Sequence, residues 1–242
     1  MNEEQAAKLR EHLIVALDVD TPEQALSLVE RLSGHVHKFK IGSRMFTAVG
    51  PAILDRIGEM GAEVFLDLKY HDIPSVVGDA VRIVATQHRA VFMLTIHASG
   101  GPAMVAAAAD AATLRGGAPL EVVAVTALTS LSPSETRILG IDLNLDDWAV
   151  KLAELALEGG ADGLVCSANE VGRMRARFGG EPTIVTPGIR PDNHERQPGD
   201  DQARITTPTT ALSLGSSYIV MGRPIYQSPD PVAMLDAIGS TL

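Results

Sequence analysis

Asp18, Lys40, Asp67 and Lys69 form a set of alternating charges whose types and spacing suit catalysis, with Asp72 close behind. Three of them fall in one segment, Asp67-Leu68-Lys69-Tyr70-His71-Asp72-Ile73-Pro74. Asp67 and Lys69 are two apart, so on an extended strand they share a face, while Leu66 and Leu68 take the other. Lys40 stands two residues before Gly42, and Asp18 ends an apolar run. An ammonium among carboxylates can stabilise negative charge developing on a substrate and deliver a proton to it. The bland alternative is a structural salt-bridge network, and spacing alone leaves both readings open. Burying four charges for stability is unfavourable, because desolvation can exceed the Coulombic gain, which favours the catalytic reading. Lys38 shares the parity of Lys40, and spacing gives its charge no obvious place.

A second constellation suits a phosphate. The run Tyr218-Ile219-Val220-Met221 leads into Gly222-Arg223-Pro224, and Thr186-Pro187-Gly188-Ile189-Arg190 follows another apolar run. Glycine lets a phosphate approach the backbone, and arginine offers a fork of donors. A lone Gly-Arg pair is more often an ordinary turn; two such loops in register with a repeat are better evidence. Other residues take bland readings. Cys166 sits in an apolar strand and is expected in the core. His35 and His37 are isolated, and no histidine or carboxylate group has metal-ligand spacing, so no metal or cofactor is expected. His97, before Ala98-Ser99-Gly100-Gly101, is expected to shape its loop or to stand behind the site.

These residues need elements to hold them. Short apolar runs at Leu13–Leu17, Val36–Ile41, Glu63–Leu68, Phe92–His97, Glu121–Thr126, Asp162–Cys166, Thr183–Thr186 and Ser217–Met221 read as parallel strands buried on both faces. Between them lie amphipathic helices. Pro22–Leu32 buries Ala25, Leu28, Val29 and Leu32, Asp147–Leu157 repeats the pattern, and Pro74 opens a helix to about Thr86. Gly61, Gly159-Gly160 and Gly215 mark helix ends. Eight strand–helix repeats without a linker make one α/β domain over residues 1–242, a single (β/α)8 TIM barrel, with a short N-terminal helix within residues 1–12. In such barrels ligands bind at the C-terminal strand ends, which is where the charged residues fall. The segment 188–204, rich in Pro, Asp, Asn and Gly, is expected to be a lid.

Composition bounds the class. Of 242 residues 45% are apolar and 4% aromatic, and Cys166 is the single cysteine, so disorder and a disulfide framework are excluded. The longest apolar run, Ala103 to Ala109, falls far short of the ~20 residues of a membrane span. The acidic start Met-Asn-Glu-Glu-Gln is no secretion signal, so the expected compartment is the cytoplasm. A net charge of −10 argues against nucleic acid or an anionic membrane as a bulk partner. It says nothing against a small anion held by a few shielded cations.

In order along the chain, Ala16-Leu17-Asp18, Lys40-Ile41-Gly42, Asp67-x-Lys69-x-x-Asp72-Ile73-Pro74, His97-Ala98-Ser99-Gly100-Gly101, Leu128-Thr129-Ser130, Pro187-Gly188-Ile189-Arg190, Asp201-Gln202 and Gly222-Arg223-Pro224 resemble the orotidine 5′-phosphate decarboxylase family. The resemblance runs from about Leu13 to Leu242. Asp-x-Lys-x-x-Asp alone is shared with sugar-phosphate decarboxylases of related barrels; the ordered set is far more specific. It implies metal- and cofactor-free decarboxylation of orotidine 5′-phosphate to UMP, with Lys69 as proton donor to C6. It further implies a homodimer with shared sites, Lys40, Asp67 and Lys69 from one subunit and Asp72 from the other. Asp18 and Lys40 would hold the ribose hydroxyls, and Thr129 would read the pyrimidine edge. Gln202, Gly222 and Arg223 would grip the phosphate under the loop from Arg190 to Gln202, and Ile73, Pro187 and Arg190 would complete the substrate site. Two departures are visible: Val76 stands where many relatives carry Thr, and Val91-Phe92-Met93 is less typical before the histidine. Two other readings are kept open. One is a Mg²⁺-dependent decarboxylase or aldolase acting on a keto-sugar phosphate, for which Glu63 lies at the wrong end of its strand. The other is a non-catalytic barrel that binds a nucleotide phosphate.

Overall fold

Eight parallel strands close on themselves in chain order, each hydrogen-bonded to the next and the last to the first. The computed structural model describes residues 1–191 and 206–242. The strands are β1 (Leu13–Ala16), β2 (Lys38–Gly42), β3 (Glu63–Tyr70), β4 (Val91–His97), β5 (Glu121–Val125), β6 (Gly163–Val165), β7 (Thr183–Thr186) and β8 (Tyr218–Met221). Helices follow the strands around the outside, so the fold is the (β/α)8 barrel that the repeat implies. None of the helices among the described residues is long and apolar enough to cross a membrane.

Local chemistry sets the helix boundaries. Pro22–Leu32 starts at Thr21, whose hydroxyl accepts from Gln24 N while the Gln24 side chain returns to the Thr21 backbone. The same reciprocal cap opens the helices Glu3–His12, Pro133–Ile138 and Ala168–Phe178. Proline occupies the first turn of Pro74–Gln87, Pro102–Ala112 and Pro231–Gly239, where its missing N–H costs nothing.

The barrel has an outer and an inner core. Outward residues such as Phe39, Ile41, Val64, Leu66 and Leu94 pack under the helices. Inside lie Ile14, Ala16, Phe65, Met93, Val123, Val185 and Val220. Burying each large side chain contributes roughly 1.5–3 kcal/mol. This division settles Lys38. Phe39 and Ile41 face outward, so Lys38 and Lys40 both face inward, Lys38 as the first residue of β2 and Lys40 two residues nearer the C-terminal mouth. The Lys38 ammonium caps the N-terminal mouth: it donates to Arg10 O at 3.2 Å and lies 5.7 Å from the Tyr218 ring centroid. Glu121 shares that end, where burial pushes its carboxyl up despite Lys38 and a hydrogen bond with Thr183. Lys38 thus belongs to the floor, and Lys40 is left for the C-terminal mouth.

Candidate active site

The C-terminal mouth holds a cavity of about 230 Å³ whose floor is Ala16, Phe65, Val165, Val185 and Val220. These are inward residues of β1, β3, β6, β7 and β8, so the apolar barrel interior itself forms the base of the site. Above it four charges form one chain of contacts. Asp18, just past β1, receives Lys40 Nζ at 3.1 Å on Oδ1 and 3.3 Å on Oδ2. Lys40 Nζ also stands 3.7 Å from Asp67 Oδ2. Lys69 Nζ donates to the other oxygen, Asp67 Oδ1, at 2.7 Å. Burial pushes the Asp67 carboxyl up, but the charges of Lys40 and Lys69 and the hydrogen bonds from Lys69 and Thr95 outweigh it, so it lies below the usual carboxylate range.

The strand does not present Asp67 and Lys69 by simple alternation. Lys69 has φ 52°, the one left-handed non-glycine among the described residues. Pairing of β3 with β4 steps from Leu66↔Leu94 to Tyr70↔Ile96, four residues against two. The backbone bulges there, re-aiming the side chains at the mouth as bulges beside active sites do. The left-handed conformation costs a lysine about 1–2 kcal/mol, so the surroundings must impose it. Lys69 N, drawn out of the ladder, donates instead to Thr95 Oγ1 at 2.8 Å.

Gly42, at the end of β2, keeps space for the first ion pair. A Cβ there would come within 3.1 Å of Lys40 Nζ and 3.2 Å of Asp18 Oδ1. Across the mouth, Pro187, Gly188 and Arg190 after β7 and Gly222 and Arg223 after β8 line the cavity, as does Thr129 after β5. Arg190 is buried, and its N–H donates to Thr206 O at 3.0 Å, while Ile189 and Thr206 pair in a parallel bridge. A Cβ on Gly222 would lie 3.2 Å from Ala16 Cβ and 3.3 Å from the Tyr226 ring, so the last loop packs directly on β1.

Of the residues singled out in the sequence, Asp18, Lys40, Asp67, Lys69, Thr129, Pro187, Arg190, Gly222 and Arg223 come together around this cavity. Asp72 and Ile73 do not line it. The Asp72 carboxylate accepts the Ile73 N–H at 2.7 Å, and both residues are exposed. Gln202 and most of the 188–204 segment lie outside the described residues. Cys166 is buried, and burial pushes its thiol up, which makes it an inert core residue. His97 stacks against His71 with centroids 5.4 Å apart. Sequence reasoning passed over Thr95, Gly42 as a spacer, and Tyr226, which lines the cavity. Thr95 left one signal, a polar residue at the inward parity of an apolar strand, two before His97. Tyr226 left none.

Comparison with known proteins agrees with this geometry. Residues 11–238 match the profile of the orotidine 5′-phosphate decarboxylase / HUMPS family. The chain is 44% identical over 230 residues to an orotidine 5′-phosphate decarboxylase of Saccharophagus degradans, covering 95% of this chain and 94% of the relative. It is also 44% identical to one of Klebsiella pneumoniae, with 95% and 92% covered. A crystal structure of orotidine 5′-phosphate decarboxylase from Lactobacillus acidophilus superposes with a TM-score of 0.83 at 34% identity, covering 95% of this chain and 98% of that one. With its closed barrel, its charged mouth and a match that spans nearly the whole sequence, the chain belongs to the orotidine 5′-phosphate decarboxylase family.

Proposed function

We propose that the Asp18–Lys40–Asp67–Lys69 array decarboxylates orotidine 5′-phosphate to UMP without a metal or cofactor, with Lys69 supplying the proton. The observation that carries this reading is the placement of Lys69 Nζ, 2.7 Å from Asp67 and facing the cavity. The C6–carboxylate bond breaks, CO₂ leaves, and its bonding pair stays on C6 of the pyrimidine. The Lys69 ammonium stabilises that carbanion and then gives it a proton, and the amine is reprotonated from solvent. Electrostatic preorganisation describes the array better than strain does, since the alternating charges are already paired before substrate enters.

Arg223 and the Gly222 backbone suit the phosphate, Asp18 and Lys40 the ribose hydroxyls, and Thr129 the pyrimidine edge. Pro187 and Arg190 complete the wall between them. Phosphate binding is remote from C6, and its binding energy serves the chemical step by holding the base over Lys69. Purified protein is expected to consume substrate absorbance in excess EDTA, whereas loss of turnover there would favour the Mg²⁺-dependent keto-sugar alternative. Lys69→Ala is expected to lose several orders of magnitude in turnover while remaining folded and binding UMP. Binding without turnover in the wild-type protein would instead support the non-catalytic barrel.

Asp72 enters this scheme from a second subunit of a homodimer. Its support is local: Asp72 is turned to its own backbone, and the neighbouring Ile73 and Val76 expose 62% and 48% of their surface. Apolar residues beside an expected catalytic acid suit a surface covered by a partner. Mixing Lys69→Ala and Asp72→Ala chains tests this, because a mixed dimer regains one intact site. No recovery of activity would make each chain self-sufficient. The buried, unpaired thiol of Cys166 suits a reducing cytoplasm.

A further inference from the structure

We propose that Thr95 is a positioning residue that holds Lys69 and Asp67 in their working geometry without touching substrate. This rests on the assignment of Lys69 as proton donor. Thr95 lies on β4 and is fully buried beneath the bulge of β3, outside the cavity lining. Its hydroxyl uses both of its capacities on the catalytic pair. Oγ1 accepts the Lys69 backbone N–H at 2.8 Å and donates to Asp67 Oδ1 at 3.1 Å. Lys69 Nζ reaches that same Oδ1 at 2.7 Å. The contacts close a ring: Lys69 backbone to Thr95 hydroxyl, hydroxyl to Asp67 oxygen, and that oxygen to the Lys69 ammonium.

The ring explains how a lysine is kept at φ 52°. Where β3 steps out of register with β4, the Lys69 N–H has no ladder carbonyl, and a buried N–H without a partner is costly. The Thr95 hydroxyl replaces that carbonyl and fixes the backbone from which the ammonium is aimed. Its bond to Oδ1 also fixes the rotation of the Asp67 carboxylate, so that Oδ2 remains turned to Lys40. Threonine fits the task because its hydroxyl both donates and accepts and its χ1 is stiff.

The test is a comparison of Thr95→Val, which keeps the shape without the hydroxyl, with Thr95→Ser, which keeps the hydroxyl. Thr95→Val is expected to lower kcat by on the order of 100-fold, the effect of a displacement of about 1 Å at the reacting group. KM should change by less than about two-fold, because ground-state contacts are untouched. Thr95→Ser should restore kcat to within about five-fold of wild type, since both hydrogen bonds can re-form. Circular dichroism and a thermal melt accompany each variant, and Thr95→Ala is read in the same way if Thr95→Val is not recovered folded. Wild-type kcat in a folded hydroxyl-free variant, a loss confined to KM, or equal losses in the serine and hydroxyl-free variants would each overturn the proposal. Lys69→Ala is measured alongside. Should it turn over normally, the assignment of Lys69 fails; should it be inactive while the hydroxyl-free variants are normal, only the role of Thr95 fails.

Discussion

Lys69 donates to Asp67 Oδ1 at 2.7 Å across a backbone that is left-handed at Lys69 itself, so the pair is set by a bulge and not by strand alternation. Asp67 also faces Lys40 with its second oxygen, 3.7 Å away, and the Lys40 and Asp67 side chains are only 11% and 14% exposed.

Removing the shared carboxylate leaves two ammonium groups facing each other over an apolar floor. Asp67→Ala should therefore destabilise the fold by roughly 1–3 kcal/mol, the cost of leaving a buried polar group unsatisfied, because Lys40 keeps Asp18 at 3.1 Å and the Lys69 side chain is 36% exposed. Urea melts at pH 7 measure it, and an unchanged midpoint would mean the lysines find other compensation. The folded carboxyl lies below its ordinary 3.8, so its contribution is full above that value and is lost only as pH falls through the lower folded value.

Gly42→Ala inserts a methyl group against both partners of the Lys40–Asp18 pair, at 3.1 and 3.2 Å. UMP affinity should weaken by about tenfold, or ~1.4 kcal/mol, if that pair holds the ribose. Calorimetric titration with UMP reads this directly. Affinity equal to that of the wild type would remove the pair from sugar binding.

Arg223→Ala should raise KM for the phosphorylated substrate by about 10- to 100-fold, in line with roughly 1.5–3 kcal/mol for hydrogen bonds to a charged group. Competition by inorganic phosphate should weaken in the variant by a similar factor. A variant whose KM and phosphate inhibition are both unaltered would move the phosphate elsewhere in the mouth.

His97 should titrate below its ordinary 6.5, because burial disfavours its charged form, with His71 and Lys69 adding to the effect and Asp67 opposing it. The unfolded chain then binds more protons in the window between the folded value and 6.5. The contribution of His97 to stability is thus full above pH 6.5 and lost as pH falls through the folded value. Proton NMR of the imidazole checks the titration, and His97→Gln should flatten the fall in stability over that window. A resonance titrating above 6.5 would contradict the stated cause.

Much of this was legible in the residues. Apolar runs of four to eight between Pro-started, Gly-stopped helices dictate a parallel barrel, because such strands must be covered on both faces. The helix Pro22–Leu32 follows directly from its Thr21 cap and the spacing of its apolar face. Asp18, Lys40, Asp67, Lys69 and Arg223 lie between mid-strand and just past the C-terminal end of their strands, which places them at one mouth, since all strands of a parallel barrel finish on the same side. The tertiary structure decided what periodicity cannot express. It sent Lys38 to the floor and Lys40 to the site, although they share a parity, because a barrel strand has two ends as well as two faces. It joined Asp67 to Lys69 through a bulge pinned by Thr95, a partner 26 residues away, and set a cavity residue, Tyr226, on the Gly222 loop. Sequence specifies which side chains a strand offers and to which face. Which of them touch depends on register between strands, and that is fixed only when the barrel closes.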